Sequence, residues 1–433
     1  MGQKWRYSLT ICCRDNTMMK QSERKDRADL VETFKRFSQR YCQCNVLDAF
    51  LICLLTASLF CPPFVCVGPA VAVLVRFFCT KKIFQGALRL PGAVALMAFG
   101  LLMLLVTCVR GEEFNIIVAL GIVASLVVGL YFRQVMTLPM FHTCLDIFCI
   151  GGAATGLYGL IEKLMHWGVP GFRGPSMFLN PNYFALMMVF VCICAVVQLV
   201  QSDHWYLYAT VLVLGLTGIV MADGRAALIT GAVCILLALV LLKQWRLTII
   251  LLMIAIVVIP LLLTLFPNLF IRLEGVSVSA DLQHRIMIWK AAIKGFLQSP
   301  VFGQGAWMFE KVCTPLYAGL YEVHAHNLFF EILLMSGVVG TSLIGGYVLT
   351  MVRDLTRMYR VKHVALFAVP GICTLCAVTL HGLLDVAIVF PQTGIAMFLL
   401  VSCIGIYDKL SEEEKQGFLQ RHLKIIDKVE IPR

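Results

Sequence analysis

Two uncharged stretches decide the fold of this chain, AVALMAFGLLMLLVTCV at residues 93–109 and LTIILLMIAIVVIPLLLTLF at residues 247–266. A helix needs roughly 20 apolar residues to cross the hydrocarbon core of a bilayer, and each stretch offers about that length. Of all 433 residues, 60% are hydrophobic and 14% are charged, whereas soluble proteins carry about 25% charged residues. A soluble fold could not bury so much apolar surface. We therefore predict an all-α polytopic membrane protein.

Further apolar runs of the same kind bring the predicted number of transmembrane helices to about twelve. Pro62 and Pro63 join the first two, which form a predicted short helical hairpin. The long polar interval before the last three helices is predicted to be an external loop. The five predicted parts are a basic N-terminal segment (1–45), transmembrane helices 1–9 (46–266), the external loop (267–326), transmembrane helices 10–12 (327–407) and a C-terminal tail (408–433).

The formal net charge of +11 fits this topology. Lys and Arg accumulate in cytoplasmic loops and orient transmembrane helices, so the excess does not indicate nucleic-acid binding. With a cytoplasmic N-terminus, the basic loops alternate consistently and both termini are predicted to be cytoplasmic. The first 45 residues are polar and basic, so we expect no cleavable signal peptide. We expect a multi-pass protein of the cell inner (cytoplasmic) membrane.

The predicted external loop contains an amphipathic pattern, because five apolar residues recur at four-three-four-three spacing with polar residues between them. Such a helix would lie on the outer membrane surface or cover a cavity. The alternative is a helix that only packs against other loops. The five residues are Leu282, Ile286, Trp289, Ile293 and Phe296.

Two arginines are predicted on the external side, where the positive-inside bias does not explain them. Arg225 lies in MADGRAAL between two apolar helices, and Arg285 lies on the amphipathic helix in HRIMIWKAA. A guanidinium fork suits phosphate, so the pair suggests a ligand that carries a diphosphate. The alternative for Arg225 is a side chain that snorkels to the interface and pairs with Asp223.

The strongest polar cluster is EVHAHNLFFEILLMSGVVG, in which His324, His326 and Asn327 precede an apolar helix. A neutral imidazole near an acceptor hydroxyl would act as a general base. A metal site would need further ligands, and two histidines that line the headgroup region are a third possibility. We expect no metal. Further along, His381 and Asp385 lie four residues apart, either as a structural pair or as support for the histidines.

Another external segment, FRGPSMFLNPNYFA, contains Arg173 and an Asn-Pro-Asn run directly before a helix. Asn180 begins that run. Because asparagine before a helix favours a turn and an N-cap, we predict this structural role for Asn180.

These residues carry a resemblance to a known family. An HN pair at 326–327, nine residues, Gly337, two residues and Gly340 match the HN-x9-GxxG signature of the O-antigen ligase family, membrane enzymes related to O-antigen polymerases. GPSMFLNPN, DGRAAL, RIMIW followed by SPVFGQG, and H-x3-D occur in the order that is typical of it. The chain resembles this family over residues 173–391, and its first third is similar only as a generic bundle of helices.

The resemblance implies a GT-C-type glycosyltransferase whose donor is a polyprenyl (undecaprenyl) diphosphate-linked glycan on the outer leaflet. It implies that His326 is the catalytic histidine and that Arg225 and Arg285 hold the diphosphate. The residue chemistry agrees, since a base can activate an acceptor hydroxyl for inverting attack while two guanidiniums stabilise the leaving group without metal. The residues that we expect to help bind substrate are Arg173, His324, Asn327, His381 and Asp385.

The expected partners are this donor, a glycan or lipid-sugar acceptor, and membrane lipid, with no cofactor and no nucleic acid. The motif leaves two reactions open, ligation of a whole glycan to a different acceptor and polymerisation of repeat units. The alternative from another class is a transporter or flippase of the lipid-linked sugar. A purely structural scaffold would leave the external arginines and histidines unexplained.

Overall fold

The computed structural model of the chain describes residues 45–169, 171–265, 275–317, 321–362, 364–411 and 415. These residues form sixteen α-helices and two short 3₁₀ helices, and no strand occurs among them. The predicted all-α class is therefore confirmed.

The first eight helices are α1 (Val46–Ser58), α2 (Pro63–Cys79), α3 (Lys81–Leu88), α4 (Ala93–Arg110), α5 (Glu113–Val135), α6 (Leu138–Met165), α7 (Pro181–Gln201) and α8 (Trp205–Met221). The other eight are α9 (Arg225–Leu241), α10 (Trp245–Leu265), α11 (Gly275–Leu297), α12 (Phe309–Cys313), α13 (Leu328–Arg360), α14 (Ala365–Gly382), α15 (Pro391–Val401) and α16 (Ile404–Asp408). The two 3₁₀ helices are Thr314–Leu316 and Ala387–Val389.

Seven helical segments of the described chain are long and apolar enough to cross a membrane, which makes this a multi-pass membrane protein. An eighth is possible if α2 and α3, which are bent by 87° at their junction, form one broken span. Every predicted apolar run contains a helix, but the count of about twelve spans is not confirmed. Three of these helices, α1, α8 and α9, are only 13–17 residues long, and 17 residues rise about 26 Å, short of the roughly 30 Å core. The seven segments are α4, α5, α6, α7, α13, α14 and the α15–α16 pair.

Several predicted parts lie outside the described residues. These include residues 1–44 of the basic N-terminal segment and the start of the predicted external loop at 267–274. Most of the C-terminal tail, residues 412–414 and 416–433, also lies outside. The cytoplasmic location of both termini and the external location of the loop therefore stay predictions.

Helix α11 forms where the four-three-four-three spacing predicts a helix, and three of the five apolar residues of that pattern face away from the protein. Leu282, Ile286 and Ile293 are exposed, whereas the buried face consists of Ile288, Ala291 and Ala292. These pack in a cluster with Phe309, Cys313, Ala325 and Leu334. The small side chains let α11 approach its neighbours closely. The helix is thereby held against the entry of α13.

Arg133, a charge that the sequence places between two apolar runs, is matched inside the protein. Its side chain is buried at the end of α5. It bonds Asp354 of α13 at 2.9 Å and Asp408 of α16 at 2.7 Å. Its charge is thus matched by two carboxylates that join three helices, as a buried cation requires.

Helix α13 is broken at Gly337, whose φ of 62° and ψ of −168° are not helical. The SPVFGQG segment packs against the break and bonds backbone groups that the helix leaves unpaired. A break inside a membrane helix is tolerated when neighbouring segments satisfy the freed groups in this way. The donor–acceptor pairs are Val338 N to Pro300 O at 2.9 Å, Val339 N to Val301 O at 3.1 Å, Gln304 N to Leu334 O at 2.8 Å and Gly305 N to Met335 O at 3.0 Å.

Replacing Gly337 with Ala should destabilise the protein. The Cβ atom of an alanine here would lie 2.4 Å from the Val301 carbonyl oxygen. The positive φ of this residue costs a residue with a side chain about 1–2 kcal/mol before the clash is added. Gly345→Ala in the same helix is the matched control, since a Cβ there meets nothing within 4 Å. We expect a lower melting temperature in detergent for Gly337→Ala alone. Equal melting temperatures for the two variants would contradict the packing described.

Candidate active site

Three segments meet at the start of α13, and Arg285 connects them. Its Nη1 atom donates to the backbone carbonyl of His326 at 3.4 Å and to the carbonyl of Leu384. Arg285 belongs to α11, His326 to the turn before α13, and Leu384 to the turn after α14. The guanidinium therefore sits between the two polar turns that the sequence singles out.

The imidazole of His326 lies between two carboxylates. Nε2 is 3.0 Å from Oε2 of Glu322, and Nδ1 is 3.8 Å from Oδ1 of Asp385. The backbone of His326 has a φ of 47°, a left-handed conformation that is uncommon for a residue with a side chain. Such local strain is typical of positions where the surrounding structure fixes a functional side chain.

His324 packs behind His326 and is buried. The two rings are 4.1 Å apart between centroids, and Nδ1 of His324 accepts a hydrogen bond from the His326 amide at 3.2 Å. Burial, together with the nearby His326 and Arg285, lowers the pKa of His324 to about 4. His324 is therefore neutral near pH 7 and acts as an acceptor that holds the turn.

Asn327 and Glu331 fix the same turn from its C-terminal side. The Asn327 side chain caps α13 by accepting from the amides of Phe329 and Phe330 at 3.0 and 3.1 Å, and it donates to the Leu383 carbonyl at 3.0 Å. Oε2 of the fully buried Glu331 accepts from the Ala325 amide at 2.7 Å. The Asn327 amide group is therefore occupied by the protein itself, which favours a structural role over substrate binding.

His381 and Asp385 lie at the end of α14 and are both buried. A backbone hydrogen bond from Asp385 N to His381 O at 3.0 Å joins them. The Asp385 carboxylate accepts from the Val386 amide at 2.7 Å and faces Nδ1 of His326. The structure thus brings Asp385 directly to the histidine turn.

Arg173, in the segment between α6 and α7, contacts the corner between α8 and α9, where Arg225 lies. Nε of Arg173 donates to the Ala222 carbonyl at 2.9 Å, and its Nη2 donates to Asn182 Oδ1 at 2.5 Å. Arg225 follows as the first residue of α9. Arg173 thereby ties the start of α7 to the corner that carries Arg225. The predicted N-cap is confirmed, since Asn180 Oδ1 accepts from the Asn182 amide at 2.8 Å.

A contact between two aromatic rings connects this corner with the histidine turn. Tyr183, next to Asn182, stacks on Phe390 with centroids 4.5 Å apart. Phe390 follows Asp385 by five residues and ends the turn that contains it. Through Arg173 and this ring pair, the start of α7 is linked both to the α8–α9 corner and to the turn that carries Asp385.

Three of these groups are close enough to hold a metal ion. His324, His326 and Asp385 each offer one ligand atom, and these atoms lie within 4.8 Å of one another. Two imidazoles and a carboxylate with an open fourth position are a donor set that zinc accepts. The sequence predicts no metal here, whereas the spacing of these atoms would allow one to bind. Activity measurements with a chelator distinguish the two.

Two residues around His326 were not predicted. Glu322 precedes His326 by four residues in an irregular turn, and His284 is adjacent to Arg285 on α11. Oε1 of Glu322 is 2.8 Å from Nε2 of His284. Burial raises the pKa of Glu322, but hydrogen bonds with His284 and His326 outweigh it, so the pKa lies below its usual value. The sequence signal that could have identified Glu322 is an acidic residue close to the His-x-His pair.

Comparison with known proteins gives one family. Residues 210–345 match the family model described as O-antigen ligase. The matched region covers less than half of the chain and includes Arg225, Arg285 and the histidine turn, whereas Arg173, His381 and Asp385 lie outside it. A search of curated proteins found no match.

Variants of Asn327 separate helix capping from substrate binding. Asn327→Asp keeps the oxygen that accepts from the α13 amides, whereas Asn327→Ala removes it, and losing an N-cap costs about 0.5–2 kcal/mol. We expect Asn327→Ala to lower the melting temperature clearly and Asn327→Asp to lower it less, which thermal unfolding in detergent would measure. Wild-type stability of Asn327→Ala would show that the cap is unimportant and would restore substrate binding as the role of this residue.

Proposed function

We propose that this chain, whose residues 210–345 match the O-antigen ligase family model, transfers a lipid-linked glycan to an acceptor sugar. The family match and the apolar helices fit a membrane enzyme that processes glycans, and the family implies lipid-linked glycan substrates. The donor we propose is a polyprenyl (undecaprenyl) diphosphate-linked glycan. The reaction we propose takes place at the external face of the cytoplasmic membrane.

One observation carries this proposal. The guanidinium of Arg285 donates to the backbone carbonyl of His326, so a cation contacts the residue that carries the proposed catalytic imidazole. Ionisable groups at membrane depth are costly and are typical of functional sites. A phosphate-binding group beside a potential base is the arrangement that glycosyl transfer from a diphosphate requires.

The proposed reaction is an inverting displacement. His326 removes the proton of an acceptor hydroxyl, and the oxygen attacks the anomeric carbon of the donor sugar. The bond between that carbon and the diphosphate oxygen breaks, and Arg225 and Arg285 stabilise the charge that develops on the departing diphosphate. Asp385 stabilises the imidazolium that forms on His326. Arg173, which bonds the corner that carries Arg225, holds that side of the site in place.

Replacing His326 with Ala tests the enzyme against the transporter alternative. The donor is undecaprenyl-diphosphate-linked glycan, extracted with the membrane lipids of the cells that produce the protein. It is supplied to the purified protein with and without the glycolipid fraction of the same cells. We expect glycan transfer to fall about 10²- to 10⁴-fold, because a general base contributes that much. His204→Ala, at an exposed histidine before α8, is the control and should keep wild-type activity.

Transfer at the wild-type rate by the His326→Ala protein would contradict the proposed catalysis, and donor translocation in vesicles without transfer would favour the transporter. The same assay separates ligation from polymerisation. Lengthening of the lipid-linked glycan with donor alone indicates a polymerase, whereas a product that requires the glycolipid fraction indicates a ligase.

Chelation tests the cluster of His324, His326 and Asp385. We expect EDTA to leave the transfer rate unchanged, because two guanidiniums can meet the charge of the leaving diphosphate. The measurement is the initial rate before and after dialysis against EDTA. A loss that one divalent ion restores would show that this cluster binds a functional metal.

A further inference from the structure

We propose that the indole of Trp307 is a stacking platform that binds one sugar ring of the acceptor beside the histidine turn. This inference rests on the proposed glycosyl transfer. Neither the HN-x9-GxxG signature nor the order of the other motifs includes Trp307, which follows the SPVFGQG segment by two residues.

Trp307 has a backbone conformation that its side chain disfavours. Its φ is 56°, in the left-handed region where a bulky residue is an outlier. A glycine adopts this conformation without strain, yet the sequence places the largest side chain here. Strained residues persist where the surrounding structure fixes them, and they cluster at active sites and ligand clamps. The strain therefore indicates that the indole itself has a task.

Helices α4 and α5 hold this backbone in place. Nδ2 of Asn115 donates to the Trp307 carbonyl at 2.8 Å and to the Ala306 carbonyl at 3.3 Å. The Ala306 amide donates to Oγ1 of Thr107 at 2.8 Å. Both Thr107 and Asn115 are buried. Since all these bonds go to backbone groups, the indole can be replaced without removing any of them.

The indole is the accessible side chain of an otherwise buried segment. Of residues 303–309, six are buried and Trp307 is partly exposed. Its neighbours Ala306, Met308 and Phe309 anchor the segment in the protein interior. A large aromatic surface that stays in contact with water gains contact area when a ligand covers it. A ligand can therefore reach Trp307 while the segment around it stays fixed.

The indole also lies next to the histidine turn. Its centroid is 5.4 Å from that of His324, and the two rings are tilted by 58°, so the imidazole does not lie flat on the indole. His324 packs in turn on His326 at 4.1 Å, and the His326 side chain is 23% exposed. A ring bound on Trp307 is thus close to the residue that we propose as the base.

A sugar ring fits this combination of groups better than an apolar chain does. One face of a hexose consists largely of C–H groups, which pack on the negative face of an aromatic ring, and its hydroxyls at the rim form hydrogen bonds. The histidine turn offers polar groups at that rim. Because the proposed ligands of the donor diphosphate are Arg225 and Arg285, we assign the sugar at Trp307 to the acceptor.

Variants of Trp307 test the platform in full-length protein with the same extracted donor and glycolipid fraction. Trp307→Gly removes the ring and relieves the backbone strain, so its melting temperature should stay close to that of the wild type. We expect KM for the acceptor to rise about 2- to 10-fold, the contribution of one aromatic contact, with little change in kcat. Trp307→Phe keeps an aromatic face and should recover most of the affinity. Trp205→Ala, at an exposed tryptophan that begins α8, is the control and should keep the wild-type KM.

Tryptophan fluorescence measures binding without catalysis. We expect the glycolipid fraction to change the emission of the wild type and of Trp205→Ala, and to cause a clearly smaller change in Trp307→Phe. Lipid of the same cells from which the glycolipids have been removed is the matched control ligand. An equal change with this sugar-free lipid would identify an apolar chain as the occupant and would overturn the proposal.

The outcomes separate the platform from the proposed function. A wild-type KM for Trp307→Gly, with His326→Ala inactive, would overturn the platform and leave the function intact. Full activity of His326→Ala would instead overturn the function, while the fluorescence change would still report sugar binding. If Trp307→Gly lowers only kcat, in parallel with the amount of folded protein, Trp307 is a purely structural residue and the proposal fails.

Discussion

The site depends on one guanidinium that bonds two backbone carbonyls. Arg285 joins α11 to the turn before α13 and to the turn after α14 through the carbonyls of His326 and Leu384. Both carbonyls belong to non-helical turns, and a guanidinium is a strong donor to such groups. Because both turns are fixed by the same side chain, the His326 ring and the Asp385 carboxylate are held close to each other.

A second constraint places the SPVFGQG segment against the break in α13. Helix α13 breaks at Gly337, and the freed backbone groups bond the segment between α11 and α12. Gly303 approaches the backbone at Met335 so closely that a Cβ would lie 2.5 Å from it. The GxxG part of the signature therefore has a physical explanation, since its first glycine permits the break. The break anchors α11 at its C-terminal end, while Arg285 anchors it nearer to the site.

The sequence was a reliable guide where one dominant force acts. Apolar runs predicted the helices because the bilayer interior excludes charge, and Asn180 was correctly predicted as an N-cap from local hydrogen bonding. Prediction was weaker where tertiary packing decides. The buried face of α11 follows small residues such as Ala291 rather than the largest apolar side chains, and Arg133 is buried because two distant aspartates pair with it. Glu322 lies in an irregular turn, where no periodicity marks its partner.

The proposed site requires the two arginines and His326 to act on a single bound donor. Arg225 begins α9 and Arg285 lies on α11, so a diphosphate bound by both would lie between these two helices. The most direct measurement is an experimental structure with the undecaprenyl-diphosphate-linked glycan bound. The account predicts that both guanidiniums contact the diphosphate and that His326 faces the anomeric carbon. A diphosphate bound away from Arg225 and Arg285, or an anomeric carbon remote from His326, would contradict it.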